Sequence, residues 1–493
     1  MAAHPYFRFR SSQTYSRQLR GPAEIHCAAF SASPPFGRDP PTRTSAEPSW
    51  THRPRSRPMN PLTSSPTPSA ATARSLGLVT ATALVVANMI GTGVFTTSGF
   101  LLAELKSPWP VLAVWLAGGL MAALGALCYG ALARRFPESG GEYLLLCRTL
   151  HSSLGYVAGW ISLLVGFSAP LAAAAMAFGT YAGPWLPRAG PQFMGTVLIL
   201  IFSVLHAANV RGGAWVQNTA VVIKLALILG FVGLAARRLG VAPLPPPQSA
   251  SLALMGVSLV WVSFSYSGWN AAIYIAGEVV NPERNLPRSL LLGTAIVTLV
   301  YLAINTVFVF SAPIDQLAGK LEIGRIAATA LGGPAWGHMI SALVALVLVS
   351  SISSLMMTGP RVYARMAHDH YLPACLVAGN APPVNAILLQ GVLALALLWS
   401  STFEQLLTYI GFTLGLSTAA TVVGLIRIRL KEGQRMPVPG WPWVPALFLL
   451  GTLGMTVFGI TQRPKQCLAG MGTILLGFLA WALAESRRKK CAD

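Results

Sequence analysis

The stretch VANMIGTGVFTTSGF, residues 86–100, lies inside an apolar segment yet carries three glycines and four hydroxylated residues. A helix in lipid has no water to satisfy the backbone groups that a break sets free. Interrupted backbone therefore persists only where it packs in protein or lines a wet cavity. A second stretch, WVSFSYSGWNAAIY at 261–274, breaks the apolar pattern in the same way. Two interruptions at corresponding places in two halves point to inverted repeats with a binding site at their interface. Close helix packing through small residues is the plainer reading of either stretch alone; the two together favour a cavity.

The surrounding sequence fits a membrane setting. The 493-residue chain is 54% hydrophobic and only 10% charged, with a mean hydropathy of +0.58, whereas soluble domains carry roughly 25% charged residues. Apolar runs of about the length that spans a hydrocarbon core predict twelve crossings, at 76–104, 108–133, 154–182, 192–209, 214–236, 252–278, 289–311, 335–358, 384–400, 404–427, 441–462 and 468–485. The expected fold is an all-α integral membrane protein of 12 transmembrane helices with a 5+5 inverted repeat, helices 1 and 6 broken. The repeats occupy 75–237 and 252–430, a further helix pair 441–485, and a basic tail 486–493.

A net charge of +20 would suit nucleic acid, but its distribution argues against that partner. With both termini cytoplasmic, 26 of the 35 Lys and Arg fall on inward loops and tails, 8 on outward loops, and Lys224 within a span. That asymmetry is the positive-inside rule, and the terminal ESRRKK reads as a surface anchor beside anionic lipid. Six scattered cysteines form no CxxC and no metal-type spacing, so no disulfide framework, zinc site or other cofactor is expected. Residues 1–74 read as a disordered basic tail; 1–58 hold nine Arg, no Lys and nine Pro without a signal-peptide core. Met59 is the expected true start.

The same segments resemble the amino acid–polyamine–organocation superfamily. NMIGTGVF (88–95), RRFPESGGEYLLL (134–146), SFSYSGWNAAIYIAGEVVNPERNLPRSL (263–290) and GPRVYARMAHDHYLP (359–373) occur in the family's order over about residues 75–430. SYSGWN is most similar to the L-type amino acid transporter branch and its prokaryotic relatives. The chain departs from that pattern at Ala131, where the family has an acidic residue, and at Ser267, where the branch has glycine. Animal members that pair with a glycoprotein heavy chain use a cysteine in the loop that here reads GPWLPRAGPQ (183–192). A disulfide-linked heavy chain is therefore not expected, and the chain should act as a monomer or homodimer in a plasma (inner) membrane.

The chemistry of the breaks suggests the cargo. An amino acid brings a carboxylate and an ammonium into low dielectric, where either one unpaired costs several kcal/mol. Free N–H groups at the positive end of a half-helix hold an anion, and exposed carbonyls hold an amine. The carboxylate is assigned to Gly91, Thr92 and Gly93, and the amine to carbonyls of Met89, Phe264, Ser265 and Ser267, the division that the resemblance also implies. Phe264 is expected to act as an outer gate over the substrate. Trp269 and Asn270 are expected to brace the second break, and Tyr409 either lines the pocket or packs.

Lys224 is the basic side chain within a span, where charge is costly and functional by default. The resemblance implies that it stands in the place of a metal ion between spans one and eight, so transport should be independent of sodium. No Asp or Glu lies deep in any span, with Glu278 and Glu404 at ends. A dibasic or polyamine substrate would then lack a buried carboxylate, which favours neutral amino acids, with a cationic amino acid or amine carrier as the alternative. Glu278, Glu283, Arg284 and Arg288 are expected either to pair with Arg361 or Arg365 as a cytoplasmic gate or to be solvated loop charges. An enzyme is not expected: the histidines lie in tails, in loops or singly near span ends.

Overall fold

The computed structural model describes residues 74–208, 214–239, 251–369, 371–377 and 383–490. The tail at 1–73, the end at 491–493 and the proposed start at Met59 lie outside the described residues. Those that are described form helices and connections, with an isolated β-bridge between Leu76 and Val279.

Helices α1 (Leu78–Met89) and α2 (Gly93–Leu105) follow one another across a break at residues 90–92 and are bent by 41° there. A long α3 (Pro108–Arg135) leads to the short α4 (Gly141–Thr149). Next, α5 (Ser152–Ile161) continues through a π-helical turn at Ser162–Ser168 into α6 (Ala169–Ala182). Then come α7 (Pro191–Ala207), α8 (Ala214–Ala236) and α9 (Leu252–Ser265), which breaks before a 3₁₀ segment at Ala271–Glu278. After α10 (Pro282–Phe310), two short helices, α11 (Ile314–Leu317) and α12 (Ile323–Gly332), lead to α13 (Pro334–His368). The chain ends with α14 (Val384–Ser400), α15 (Phe403–Glu432), α16 (Trp443–Gln462) and α17 (Pro464–Lys490).

Seven of these elements are long and apolar enough to cross a bilayer, or eight when the bent α1–α2 pair counts as one span. Helices α7, α9 and α14 and the Val221–Ala236 part of α8 are shorter apolar helices. Leu200, Val204, Leu475 and Leu479 are each at least half exposed, as helices turned toward acyl chains require. Inside, Ala172 to Ala175 of α6 are fully buried, small side chains that let backbones approach closely.

Local chemistry sets the helix ends. Thr402 and Gln405 form a reciprocal capping box at the start of α15. Proline occupies the first turn of α3, α7 and α10, where its missing N–H is harmless. Helix α10 starts at Pro282, ahead of the apolar run at 289, because Asn281 and Pro282 set its first turn while Glu283, Arg284, Asn285 and Arg288 keep the next turns largely polar. Hydropathy marks the stretch that meets lipid, so it misses a polar helix end.

Candidate functional site

The first break frees backbone where α1 gives way to α2. Ile90 leaves the helix with ψ 88°. The N–H groups of Gly91, Thr92 and Gly93 donate to no backbone carbonyl among the described residues. They stand at the positive end of α2. In the second break, Gly268 takes φ +101°, a conformation that favours glycine.

The two breaks touch. A Cβ on Gly93 would fall 2.6 Å from Ser265 Cα, and one on Gly268 would fall 2.8 Å from the Asn88 carbonyl oxygen. The hydroxyls of Thr97 and Ser265 are 2.9 Å apart. From α10, the fully buried Tyr301 hydroxyl donates to the carbonyls of Met89 and Ser265. One proton shared by two carbonyls leaves acceptor capacity at the junction, since each carbonyl has two lone pairs. Nothing in the sequence sets Tyr301 apart from a core aromatic.

A cavity of about 290 Å³ opens at this junction, bordered by Met89, Gly91, Thr92, Gly93, Phe264, Ser265 and Ser267. Its lining continues along α1 at Leu84, the 3₁₀ segment at Tyr274 and α13 at Arg361, but not along α2 past Gly93 or α9 before Ser263. It therefore extends toward one face only. On the opposite side of the breaks, Phe100 stacks on Phe403 at 5.8 Å and meets Trp261 edge-on at 6.4 Å. Arg463 pairs with Glu104 and, at 3.0 Å, with Glu404, and its guanidinium lies 5.5 Å over the Trp261 ring. One end is thus plugged by aromatics under an ion cluster. The arrangement can hold a zwitterion: anion at the free N–H groups, ammonium at the carbonyl ends of α1 and α9.

Lys224 lies beneath the first break rather than in the cavity. It is 5% exposed, and its ammonium donates to the Ile90 carbonyl at 3.0 Å. A cation there complements the negative end of α1.

Four expectations need correction or completion. First, a buried carboxylate does reach the cavity: Glu142 of α4, 6% exposed, lines it. It enters from a short helix beyond the second apolar run, so a search within spans missed it. Second, Glu278, Arg284, Arg288 and Arg361 form no ion pair among the described residues. Glu278 acts through its backbone, accepting from the N–H groups of Ser75 and Leu76 at 3.0 Å. Arg361 borders the open end of the cavity, and the Arg365 side chain lies outside the described residues. Third, Tyr409 hydrogen-bonds Thr473 at 2.8 Å and is not among the lining residues. Fourth, Trp269 and Asn270 brace the second break and also border the cavity. Trp269 meets Tyr129 edge-on at 4.7 Å, and Asn270 donates to Glu142 at 3.0 Å.

A sequence model of the amino acid permease family matches residues 76–480, a span that holds both breaks and every cavity residue named above. The chain belongs to the amino acid permease family. Among the permease's relatives is the mouse (Mus musculus) large neutral amino acids transporter small subunit 2, 28% identical over 442 residues, 85% of this chain and 82% of the relative. The mouse Asc-type amino acid transporter 1 is 26% identical over 440 residues, with the same coverage of each chain. The mouse b(0,+)-type amino acid transporter 1 is 25% identical over 409 residues, 79% of this chain and 83% of the relative. The permease is thus a multi-pass membrane protein of the L-type branch, a transporter of amino acids and not an enzyme. Among the described residues, no group of three His, Cys, Asp or Glu could hold a metal ion.

Proposed function

We propose that the permease moves neutral L-amino acids by alternating access without sodium, by exchange or proton coupling, on a twelve-span LeuT-type inverted-repeat fold. The observation that carries this reading is the contact between two broken helices at one end of a plugged cavity. It offers free N–H groups and free carbonyl capacity within one small space. Gly91, Thr92 and Gly93 take the carboxylate, and carbonyls of Met89, Phe264, Ser265 and Ser267 take the ammonium. Phe264, at the cavity wall, closes over the bound substrate. Lys224 takes the place of a sodium ion beside the first break, its ammonium on the Ile90 carbonyl.

The face toward which the cavity extends carries the loops that the positive-inside rule assigns to the cytoplasm. The state described is accordingly inward-facing, with both termini cytoplasmic and the protein in the plasma (inner) membrane. Glu278, Arg284, Arg288 and Arg361 then stand apart at the open face and pair when it closes. Glu142 favours a second reading, a cationic amino acid or amine carrier, because a carboxylate at the cavity offers a partner to a distal ammonium. Some relatives are named small subunits, and they lend no support to the expectation that this chain acts without a disulfide-linked heavy chain, as a monomer or homodimer. That expectation rests on the cysteine-free loop at 183–192.

The deciding experiment is a proteoliposome competition panel of the twenty amino acids, run with and without a proton gradient and with sodium exchanged for choline at constant ionic strength. Competition by neutral L-amino acids, unchanged by sodium, is expected. Competition confined to lysine, arginine or amines would overturn neutral specificity, and uptake that rises with sodium would overturn the role of Lys224.

A further inference from the structure

Glu142 is placed by α4 against three other parts of the molecule. Its Oε1 accepts from the Tyr129 hydroxyl of α3 at 2.8 Å and from Asn270 of the second break at 3.0 Å. Its Oε2 accepts from the Ser417 hydroxyl of α15 at 2.7 Å. All three donors are neutral, and among the described residues no cation pairs with the carboxylate. Three hydrogen bonds hold an ionised carboxylate in place, yet a buried charge without a counter-ion remains costly. The partner that can relieve it is a proton, and the cavity that Glu142 borders brings water within reach.

The surroundings leave Glu142 to titrate without a competing ion. Tyr129 and Tyr274 are the titratable groups facing it from α3 and the 3₁₀ segment, and α15 presents the hydroxyls of Ser417 and Thr421. On α4 itself, Tyr143 is turned to Asp369 and Arg148 to Glu138. From α5, Tyr156 faces Tyr371. Arg361 shares the cavity without bonding to the carboxylate.

We propose that Glu142 is the proton-binding residue of this permease, and that its protonation loosens the hold of α4 and α15 on the second break. The proposal rests on the transport reading above. The step is a proton transfer: hydronium in the cavity water gives its proton to Oε2, its O–H bond breaking to leave water as the carboxylate becomes a carboxylic acid. The new O–H donates to Ser417 Oγ, whose own hydrogen rotates away, as hydroxyls allow. The acid is a weaker acceptor for Asn270 and Tyr129 than the carboxylate, since charge-assisted bonds are roughly twice as strong. The second break, which Asn270 anchors, is then freer to move. Burial raises the carboxyl above its ordinary value, opposed by the bonds from Ser417, Tyr129 and Asn270, so the proton is taken up at a higher pH than by an exposed glutamate.

The test combines infrared difference spectra and transport. Purified wild-type protein cycled between acid and alkaline pH should show a protonated-carboxyl band that E142Q lacks. Uptake of an equimolar mixture of the twenty ¹⁴C-labelled L-amino acids into proteoliposomes should vary with pH for wild type and E142D. For E142Q the uptake that remains should have lost that pH dependence, because glutamine keeps an acceptor for Asn270 and Tyr129 without a proton to exchange. A band unchanged in E142Q, or a pH profile in E142Q that matches wild type, overturns the proposal. Should E142Q fail to fold, S417A and N270A serve: each should shift the wild-type band's midpoint to higher pH, and no shift in either overturns it. Failure of wild type to take up any amino acid would instead strike the transport reading, leaving the infrared result intact.

Discussion

At the scale of single residues, two side chains hold the end of α1: the Tyr301 hydroxyl donates to the Met89 carbonyl and the Lys224 ammonium to the Ile90 carbonyl. In the sequence, Gly91, Thr92 and Gly93 stood out because glycine and a hydroxyl are conspicuous in an apolar run. Lys224 stood out because a charge is. Tyr301 and Glu142 were hidden for opposite physical reasons, the first resembling any core aromatic and the second lying on a helix outside the apolar runs. Lys224 allows a sharp test. Its ammonium covers the Ile90 carbonyl, and hydrogen bonds to charged groups contribute about 1.5–3 kcal/mol. K224M keeps the volume but removes the donor, so initial uptake in proteoliposomes should fall on the order of ten- to a hundred-fold, with elution as a folded species retained. Uptake by K224M within twofold of wild type would show that the ammonium has no part in the cycle.

At the scale of elements, the long spans were legible because lipid demands an unbroken apolar stretch, and predicted and observed helices coincide over most of their lengths. Short elements escaped because their rules are tertiary. The helix α4 and the π-helical turn at Ser162–Ser168 carry no signal that distinguishes them from loop or ordinary helix. What holds the two broken elements together is contact at glycine, and that contact is testable. In G93A the new Cβ would meet Ser265 at both Oγ and Cα, 2.3 and 2.6 Å away, and S265A would not relieve it because the Cα remains. In G268A an alanine backbone must adopt φ +101°, and its Cβ also meets the Asn88 carbonyl. Both variants should lose most uptake and lower the midpoint in fluorescence-detected thermal unfolding. G190A, with nothing within 4 Å of its Cβ and no positive φ, should stay within about 0.5 kcal/mol of wild type. Equal behaviour of all three would remove the case for a glycine-dependent junction.

At the scale of the whole molecule, the cavity reaches one face while the other is shut, and what shuts it has a modest strength. The Phe100–Phe403–Trp261 plug is capped by Arg463 on two glutamates, its guanidinium over Trp261. Partly exposed ion pairs contribute about 0–1 kcal/mol each, and a cation over an aromatic ring about 0.5–1 kcal/mol at an exposed site. A sum of about 0.5–3 kcal/mol suits a transporter, because states that must interconvert cannot differ by much more. Removing Arg463 should therefore shift the population toward the state open on the plugged side. In a background with the native cysteines replaced by serine, S267C places a thiol in the cavity. A membrane-impermeant thiol reagent should label it readily from the cytoplasmic face and slowly from the other. Adding R463A should raise labelling from that other face on the order of tenfold and lower it from the cytoplasmic face. Equal labelling of S267C from both faces before Arg463 is touched would mean that the plug does not seal, and the population argument would fail with it.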